Sequence, residues 1–217
     1  MKRTGERNLT PGTTGSVLHA AAGYDWLVWL VLFGRERTFR EKMLRLARLE
    51  PGESVLDVGC GTGTLAIAAK RHVGPTGSVC GIDASPEMIA RASKKARKAD
   101  VDILFQNALA EALPFPDAHF DAVLTTVMLH HLPRQTRQQC TFEMRRVLKP
   151  SGRVLAVDFA KPTRERRSVI GHFHRHGHVD LGDIIGLLSE AGLKTVDSGA
   201  VGINDLQFAL AAPSCSA

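Results

Sequence analysis

The sequence predicts a single α/β domain, in which a mainly parallel β-sheet carries helices on both faces. From Ser54 onward, short apolar, β-branched runs alternate with amphipathic runs. The first apolar run is followed directly by a glycine-rich turn at residues 59–63. At 217 residues, the chain is long enough for one domain with a substantial core and too short for two ordinary ones. We therefore expect a right-handed series of βαβ units.

The part of the chain before the sheet is predicted to be helical. Residues 1–15 are polar and unpatterned, so we expect a flexible N-terminus. Helices are expected over residues 16–33 and 35–49, and together they form a helical lid over residues 16–50. Pro51 and Gly52 end the second helix. Its apolar face consists of Phe39, Met43, Leu44, Leu46 and Ala47.

The remaining elements follow in alternation. After the first strand, which begins at Ser54, strands are predicted over residues 78–83, 102–107, 120–126, 152–159, 194–198 and 205–211. Helices are predicted over residues 64–70, 86–98, 133–148 and 181–191. Ser85 is a suitable N-cap with Pro86 at the first helical position, and a turn over residues 149–152 precedes the fifth strand. We divide the domain, residues 16–212, into the lid, a ligand-binding core at 54–160 and a substrate-side part at 161–212, with a tail at 213–217.

Charge and cysteine content restrict the class of protein. The formal net charge is +6, and the basic residues are spread over residues 35–48, 91–98 and 164–167. Solvated helix faces and loops are the main interpretation, with nucleic acid or an anionic membrane surface as the alternative. The four cysteines lack the spacing of a disulfide framework or a zinc site. With no signal peptide, the sequence predicts a cytoplasmic protein.

An apolar segment at residues 26–33 interrupts this pattern. Its eight residues are far fewer than the roughly twenty that span a bilayer. One interpretation is a buried helix across the site entrance. The other is a lid that meets an apolar or lipid substrate, with peripheral membrane contact.

The glycine turn is expected to hold a ligand. Gly59, Gly61 and Gly63 are one residue short of the dinucleotide pattern G-x-G-x-x-G. Asp57 just before the turn would repel a pyrophosphate and would suit a cationic ligand. Asp83 ends the second strand about twenty residues further on, where this kind of sheet places a carboxylate on a ribose diol. A positively charged nucleoside satisfies both carboxylates.

At this point the chain resembles a known family. The resemblance rests on residues Val55–Gly63, Gly81–Met88, Ala110–Phe115, Met128–Leu132 and Arg146–Pro150, and it covers roughly residues 24–210. These stretches are similar to class I S-adenosylmethionine-dependent methyltransferases of the ubiquinone/menaquinone C-methyltransferase-like group. The resemblance implies a Rossmann-like seven-stranded sheet of order 3-2-1-4-5-7-6 with an antiparallel last strand, and S-adenosyl-L-methionine as cofactor. It does not specify the methyl acceptor or the oligomeric state.

The resemblance also implies which residues surround the cofactor. Asp57 assists at the charged end, Asp83 takes the ribose hydroxyls, and Tyr24 either covers the sulfonium or packs only. The other expected contacts are Gly59, Cys60, Gly61 and Gly63 in the turn, Ala84, Met88, Ala108, Leu109 and Ala110 around adenine, and the Thr126 and Val127 carbonyls. Leu109 replaces an acidic residue that many members carry, so backbone, apolar contact or Asn107 is expected to hold adenine instead.

His130 and His131 are the candidate catalytic bases because they follow the fourth strand, beside the expected methyl group. Of the two, His131 is slightly favoured, without a geometric reason from the sequence. The alternative is that both histidines pack or cap the next helix. His172, His174, His176 and His178 alternate along one segment and could share a metal ion. Without a carboxylate or cysteine at ligand spacing, a solvated loop or substrate lining is favoured, and no metal is predicted.

Four functions compete. A small-molecule or lipid methyltransferase leads. A nicotinamide oxidoreductase is disfavoured by the short glycine spacing and Asp57. A regulatory module that binds the cofactor without turnover is the non-enzymatic alternative. A nucleic-acid methyltransferase is disfavoured because Thr126–Leu129 stands where amino-methylating families carry an aromatic box for a flipped base.

Overall fold

The computed structural model describes residues 36–160, 179–203 and 205–214. They form one seven-stranded sheet flanked by helices. The strands are β1 (Ser54–Val58), β2 (Ser78–Asp83), β3 (Leu104–Asn107), β4 (Phe120–Thr126), β5 (Leu148–Phe159), β6 (Leu193–Ala200) and β7 (Leu206–Pro213). The helices are α1 (Glu36–Leu46), α2 (Thr64–Val73), α3 (Pro86–Lys98), α4 (Arg134–Val147) and α5 (Leu181–Glu190), with a 3-10 turn at Leu129–His131.

The strand order is β3-β2-β1-β4-β5-β7-β6, which confirms the expected topology. β1 pairs in parallel with both β2 and β4, so the order of the strands reverses between β1 and β4. β7 lies antiparallel between β5 and β6. In an open α/β sheet, ligands bind at the carboxyl ends of the strands beside such a reversal. The fold therefore points to the segments that follow β1, β2 and β4.

Two apolar layers cover the sheet. On one face, α1 and α2 pack against the strands through side chains such as Met43 and Leu65. On the other face, α4 and α5 contribute Met144 and Leu188. Central strands buried on both faces read as continuous apolar runs. An acidic residue inside such a run, as in β1, therefore requires a separate explanation.

Several predicted boundaries shift. α1 ends at Leu46 instead of residue 49, because Arg48 turns into the left-handed region with φ 51°. The predicted turn over residues 149–152 is wrong, since β5 begins at Leu148 and a bulge between Phe120 and Ala122 accommodates the extra residues. β3 begins at Leu104 instead of residue 102, and β6 and β7 are each longer than expected.

Some predictions lie outside the described residues. These are the helix over residues 16–33 with Tyr24 and the apolar segment 26–33, and the histidines at 172–178. Within the described ranges, no helix combines the length and apolar character required to cross a membrane.

Arg153 on β5 fastens α1 to the sheet. Its guanidinium donates to both Glu53 carboxylate oxygens at 2.7 Å and to the Ala47 carbonyl at 2.6 Å. Both side chains of the ion pair are largely buried, with 17% and 16% exposed. This planar fork cannot be reproduced by an ammonium group.

We expect Arg153→Lys to lower the free energy of unfolding by about 2 kcal/mol, because bonds from a charged donor to partly buried acceptors are lost. Urea denaturation measures the change. Arg37→Lys is the matched control, since the Arg37–Glu41 pair is a solvent-exposed helix pair and should change stability by less than about 0.5 kcal/mol. Equal effects of the two substitutions would contradict the proposed fastening role.

Candidate active site

The glycine turn after β1 has a backbone that favours glycine. Gly59, Gly61 and Gly63 have φ angles of 75°, 52° and 77°, all in the left-handed region. The N–H groups of Gly59 and Cys60 both donate to the Ile82 carbonyl, at 2.9 and 2.8 Å. The turn is therefore fixed to β2 before it enters α2.

Neighbouring side chains also exclude a Cβ atom from this turn. A Cβ on Gly59 would lie 2.5 Å from Met128 Cγ, and one on Gly63 would lie 2.7 Å from Phe105 Cζ. Gly81 on β2, to which the sequence analysis gave no role, is similarly confined, because its Cβ would lie 2.8 Å from Phe105 and 3.1 Å from Cys60 Sγ. Only the three-dimensional packing reveals this requirement.

Asp83 joins the end of β2 to the glycine turn. One carboxylate oxygen accepts from Gly61 N and the other from Ser85 N, each at 2.9 Å. Burial raises the pKa of Asp83, and these two backbone bonds oppose the rise. A carboxylate oxygen has two acceptor sites, so each oxygen retains capacity for a hydroxyl group. The carboxylate can thus hold the turn and accept from a diol together.

Asp57 is the most unusual charged group of the site. It is 1% exposed, and among the described residues its carboxylate oxygens make no hydrogen bond of ordinary length and angle, although the Ala66 backbone N–H lies close enough to act on the negative charge. Burial, reinforced by the negative charge of Asp83, raises the pKa of Asp57 to about 7, while the Ala66 backbone N–H opposes the rise. Buried carboxylates are normally paired or hydrogen-bonded. This one is suited to a positively charged ligand.

The expected adenine side lies between the ends of β2 and β3. Ser85 caps α3 by accepting from Met88 N, as predicted, and Met88 is buried. Asn107 Nδ2 donates to the Asp83 carbonyl at 2.9 Å, and Ala108 N donates to the same oxygen at 3.2 Å. Asn107 therefore links the two strand ends, a contact that the sequence did not indicate. The half-buried residues here are Ala84, Ala108, Leu109 and Ala110.

Arg146 on α4 holds the loop that follows this region. Its guanidinium donates to the Leu113 and Phe115 carbonyls at 2.9 and 2.8 Å and pairs with Glu143 at 2.6 Å. Glu143 in turn accepts from Leu113 N at 2.7 Å. Because the two carbonyl partners, of Leu113 and Phe115, lie 33 and 31 residues from Arg146, sequence spacing gave no sign of this clamp.

The end of β4 carries a strained residue. Val127 has φ 55°, which is rare for a β-branched side chain. Its N–H donates to the Val157 carbonyl at 2.8 Å, which fixes the strained backbone to β5. Such strain concentrates at functional sites and costs about 1–3 kcal/mol. Val127 thus has a fixed, non-extended backbone directly after Thr126, the last residue of β4, at the point where the sequence predicted cofactor contacts.

The two candidate bases have different environments. His130 is 7% exposed, and its Nδ1 lies 2.7 Å from an oxygen of Asp158. His131 is half-buried, and its ring lies against that of His130 with centroids 3.9 Å apart. The sequence slightly favoured His131 as the base, but His130 is the residue with a buried carboxylate beside it. Asp158 was not singled out because it ends an otherwise apolar strand.

No cluster of three or more histidine, cysteine or acidic side chains fit to hold a metal ion occurs among the described residues. Cys60, Cys80 and Cys140 are free thiols. Burial, together with the charges of Asp57 and Asp83, raises the pKa of the Cys60 thiol well above its ordinary value. Cys60 is therefore a packing residue of the turn rather than a nucleophile.

Comparison with known proteins identifies the class. Residues 55–152 match the methyltransferase domain family. Residues 55–152 therefore carry a methyltransferase domain, and this match together with the fold implies S-adenosyl-L-methionine as cofactor. The site fits that ligand, because the unpaired Asp57 carboxylate matches a cation and the turn excludes side chains from the ligand surface.

Among individual proteins, the chain is similar to ubiquinone/menaquinone biosynthesis C-methyltransferases. It is 35% identical over 162 residues to the protein of Pasteurella multocida, covering 73% of this chain and 60% of the relative. With the protein of Pseudomonas entomophila it shares 37% over 155 residues, which is 70% of this chain and 60% of the relative. The chain thus spans about 60% of the length of these curated relatives.

Solved structures share the fold. A SAM-dependent methyltransferase from Aquifex aeolicus superposes with a TM-score of 0.70 at 24% identity, over 88% of this chain and 97% of that one. The [4+2]-cyclase SpnF superposes with a TM-score of 0.68 at 20% identity, over 82% of this chain and 80% of SpnF. A protein named for a cyclisation therefore has the same fold, and the fold alone does not determine the reaction.

We expect Asp83→Ala to weaken binding of S-adenosylhomocysteine about 100-fold, because both the diol acceptor and the tie to the turn are lost. Isothermal titration measures the affinity. Asp102→Ala is the control, since that exposed residue precedes β3 and should leave the affinity within about twofold. Unchanged binding by the Asp83 variant would show that the ribose is held elsewhere.

Proposed function

We propose that this protein transfers the methyl group of S-adenosyl-L-methionine to a small aromatic acceptor of quinone-like type. The observation that carries the proposal is the buried, unpaired Asp57 carboxylate beside a glycine turn that Asp83 fixes at 2.9 Å. A diphosphate would be repelled by this pair of acidic groups, whereas a cationic adenosyl group is attracted.

When bound, the cofactor supplies an electrophilic methyl group, which leaves sulfur as a neutral thioether. The chain's contribution is to hold the acceptor in line with that group and to exclude water. By this proposal, the turn and Asp83 fix the adenosyl part, Thr126 and Val127 present backbone carbonyls to the charged end, and His130 or His131 takes the acceptor proton. The adenine ring would lie against Ala84, Met88 and residues 108–110.

The quinone-like acceptor is proposed from the relatives, whose names state C-methylation in ubiquinone and menaquinone biosynthesis. A reduced, hydroquinone form is the chemically suitable partner, because its ring is electron-rich and can attack a methyl group. The apolar segment 26–33 supports the same proposal, since it could meet an apolar acceptor at a membrane surface. We also propose cytoplasmic action, on the basis of the free thiols of Cys60, Cys80 and Cys140.

Binding and transfer are tested separately. Thermal shift with S-adenosylhomocysteine and with NAD uses the stabilisation RT ln(1 + [L]/Kd) that a ligand of the native state provides. We expect stabilisation by the first ligand only. Stabilisation by NAD alone would overturn the proposal. Transfer of labelled methyl is then measured to a reduced naphthoquinone, to phospholipid vesicles and to single-stranded DNA, and label in the naphthoquinol alone is expected.

The second candidate is a cofactor-binding protein without methyl transfer. This candidate is kept because the [4+2]-cyclase SpnF shares the fold but is named for a different reaction. This alternative predicts tight cofactor binding with no label leaving the cofactor in any extract. Label in a small-molecule product eliminates it.

A further inference from the structure

We propose that Asp158 and His130 form a proton-accepting pair, in which Asp158 is a positioning residue and His130 is the catalytic base for an acceptor that carries an ionisable hydroxyl group. This inference rests on the proposed function. It adds Asp158, a residue outside every motif of the sequence analysis, and it assigns the base role to His130 over His131.

The first step of the argument is the hydrogen bonding of Asp158. This side chain is 0% exposed, and two backbone N–H groups and one ring nitrogen contact it. One oxygen lies 2.7 Å from His130 Nδ1 and accepts from Phe159 N at 2.8 Å, and the other accepts from His130 N at 3.0 Å. These contacts engage both carboxylate oxygens. Asp158 therefore grips both the backbone and the ring of His130.

The second step concerns the tautomer of His130. Since the carboxylate can only accept, Nδ1 is the protonated nitrogen, and Nε2 carries the lone pair. A fixed carboxylate also stabilises the imidazolium that forms when Nε2 takes a proton. These are the two properties that a general base requires, and a buried histidine without such a partner would lack both.

The third step is location. The 3-10 turn with His130 follows β4 by two residues, and one of these, Met128, packs against Gly59 of the glycine turn. His131 N donates to the Met128 carbonyl at 3.0 Å, which fixes the turn to the same residue. The pair thus lies at the carboxyl ends of β4 and β5, next to the strand reversal at which ligands bind.

Other charged groups surround the pair. Arg137 on α4 donates to the Leu129 and Leu132 carbonyls at 2.9 and 2.7 Å, and it interacts electrostatically with Asp158 and with Asp183 on α5. Burial lowers the pKa of Arg137, and the two carboxylates oppose that effect. His131, whose ring lies against that of His130, is a further titratable group beside the pair.

The proton step is simple. The acceptor O–H bond breaks, its electron pair stays on oxygen, and an N–H bond forms at Nε2 of His130. If the activated oxygen accepts the methyl group, the imidazolium returns its proton to water after product release. If the conjugated ring carbon accepts it, that carbon then loses its C–H proton to water, the ring becomes aromatic again, and the oxygen regains its proton from the imidazolium. General base catalysis of this kind contributes about 10²–10⁴ in rate.

The test compares an acceptor that needs a base with one that does not. We use 1-naphthol, which is un-ionised at pH 7, and 2,4-dinitro-1-naphthol, which is already ionised. His130→Gln should lower kcat on 1-naphthol about 100-fold, and Asp158→Asn about tenfold or more. On the dinitro compound, kcat of both variants should stay within about threefold of the wild type, because this acceptor is already ionised and needs no base. Each variant is compared with the wild type on the same acceptor. The exposed His119→Gln is the matched control and should retain most activity on both acceptors.

A second readout does not depend on turnover. In ¹⁵N NMR spectra of the wild type without cofactor, His130 is expected to show the Nδ1–H tautomer, and Asp158→Asn should shift its population toward the other tautomer. Binding of S-adenosylhomocysteine should stay within about threefold in both variants. If Asp158→Asn fails to fold, His130→Gln still decides, since it leaves the two backbone bonds to Asp158 in place.

Three results would overturn the inference. Equal losses on both naphthols would give the pair a structural role only. If His130→Gln keeps the wild-type kcat on 1-naphthol, His130 is not the base in the proton step. A wild type that binds the cofactor and methylates only non-hydroxyl acceptors would refute the acceptor class while leaving methyl transfer intact, whereas failure to bind the cofactor would refute the proposed function itself.

Discussion

At pH 8, Asp57→Asn is expected to raise the free energy of unfolding of the ligand-free protein by up to about 4 kcal/mol, at 1.36 kcal/mol for each pKa unit between about 4 and about 7. The pKa of Asp57 is raised in the folded state, so the folded protein holds a proton that the unfolded chain has lost. Stability therefore falls as pH rises through this window, and the full cost is present above pH 7. Asparagine cannot ionise, so the variant lacks this decrease of stability with rising pH.

The same substitution is expected to weaken binding of S-adenosylmethionine tenfold or more at pH 8, because the buried negative charge is lost. At pH 6 the loss should be smaller, since the wild-type carboxyl is then largely protonated. Chemical denaturation and titration calorimetry across pH 5 to 8 measure both effects. A stabilised variant with unimpaired binding would contradict the assignment of Asp57 to the cationic ligand.

Asp121→Asn is the control with the opposite sign. Burial acts to raise the pKa of Asp121, but hydrogen bonds from Lys149 and Ser54 N hold it below the ordinary value. The stabilisation that ionised Asp121 provides is present above the pKa of the unfolded state. It is lost only as pH falls through the lower pKa of the folded state. At pH 8, this variant should therefore be less stable than the wild type, while cofactor binding is unchanged.

Gly63→Ala is expected to lower the free energy of unfolding by about 2–5 kcal/mol, the sum of a left-handed backbone and an overpacked contact. The new Cβ would lie 2.7 Å from Phe105 Cζ and 2.8 Å from Ala92 Cβ. Because Gly63 begins α2 at the end of the turn, the displaced backbone should also abolish cofactor binding. Urea denaturation and calorimetry test the two expectations together.

The chain offers a control in Gly192, which follows α5. Its φ of 78° is nearly that of Gly63, but a Cβ there would have no neighbour within 4 Å. Gly192→Ala should therefore show only the backbone cost of about 1–2 kcal/mol and should bind cofactor normally. Equal destabilisation at the two positions would mean that packing beneath the turn is unimportant.

Prediction from the sequence succeeded where the signal was local. β1 and β2 each read as an apolar run that ends at an acidic residue or a glycine, and Ser85 with Pro86 begins α3 as expected. It failed where partners are distant. The bulge opposite Phe120 extends β5 into the predicted turn, and Arg48 ends α1 in a left-handed conformation that glycine would normally mark.

The same division applies to the site. Asp57 and the three glycines are recognisable because they lie within seven residues of one another, and Asp83 because it ends the next strand of the same βαβ unit. The contacts of Asp158 with His130 and of Arg146 with the Leu113 carbonyl are not, since these partners belong to other units and meet only when β5 and α4 have packed. Gly81 shows the same dependence, because its need for glycine comes from Phe105 on a neighbouring strand.

The sequence by itself determined the strand–turn–helix after Ser54 and the two carboxylates beside it, since backbone conformation and nearest-neighbour charge are local properties. Only the tertiary structure decided which carboxylate is fully buried and which histidine is held by a buried acid. A residue becomes buried and forms hydrogen bonds to distant residues only when the sheet has formed. The Asp158–His130 pair could therefore be found only in the folded structure.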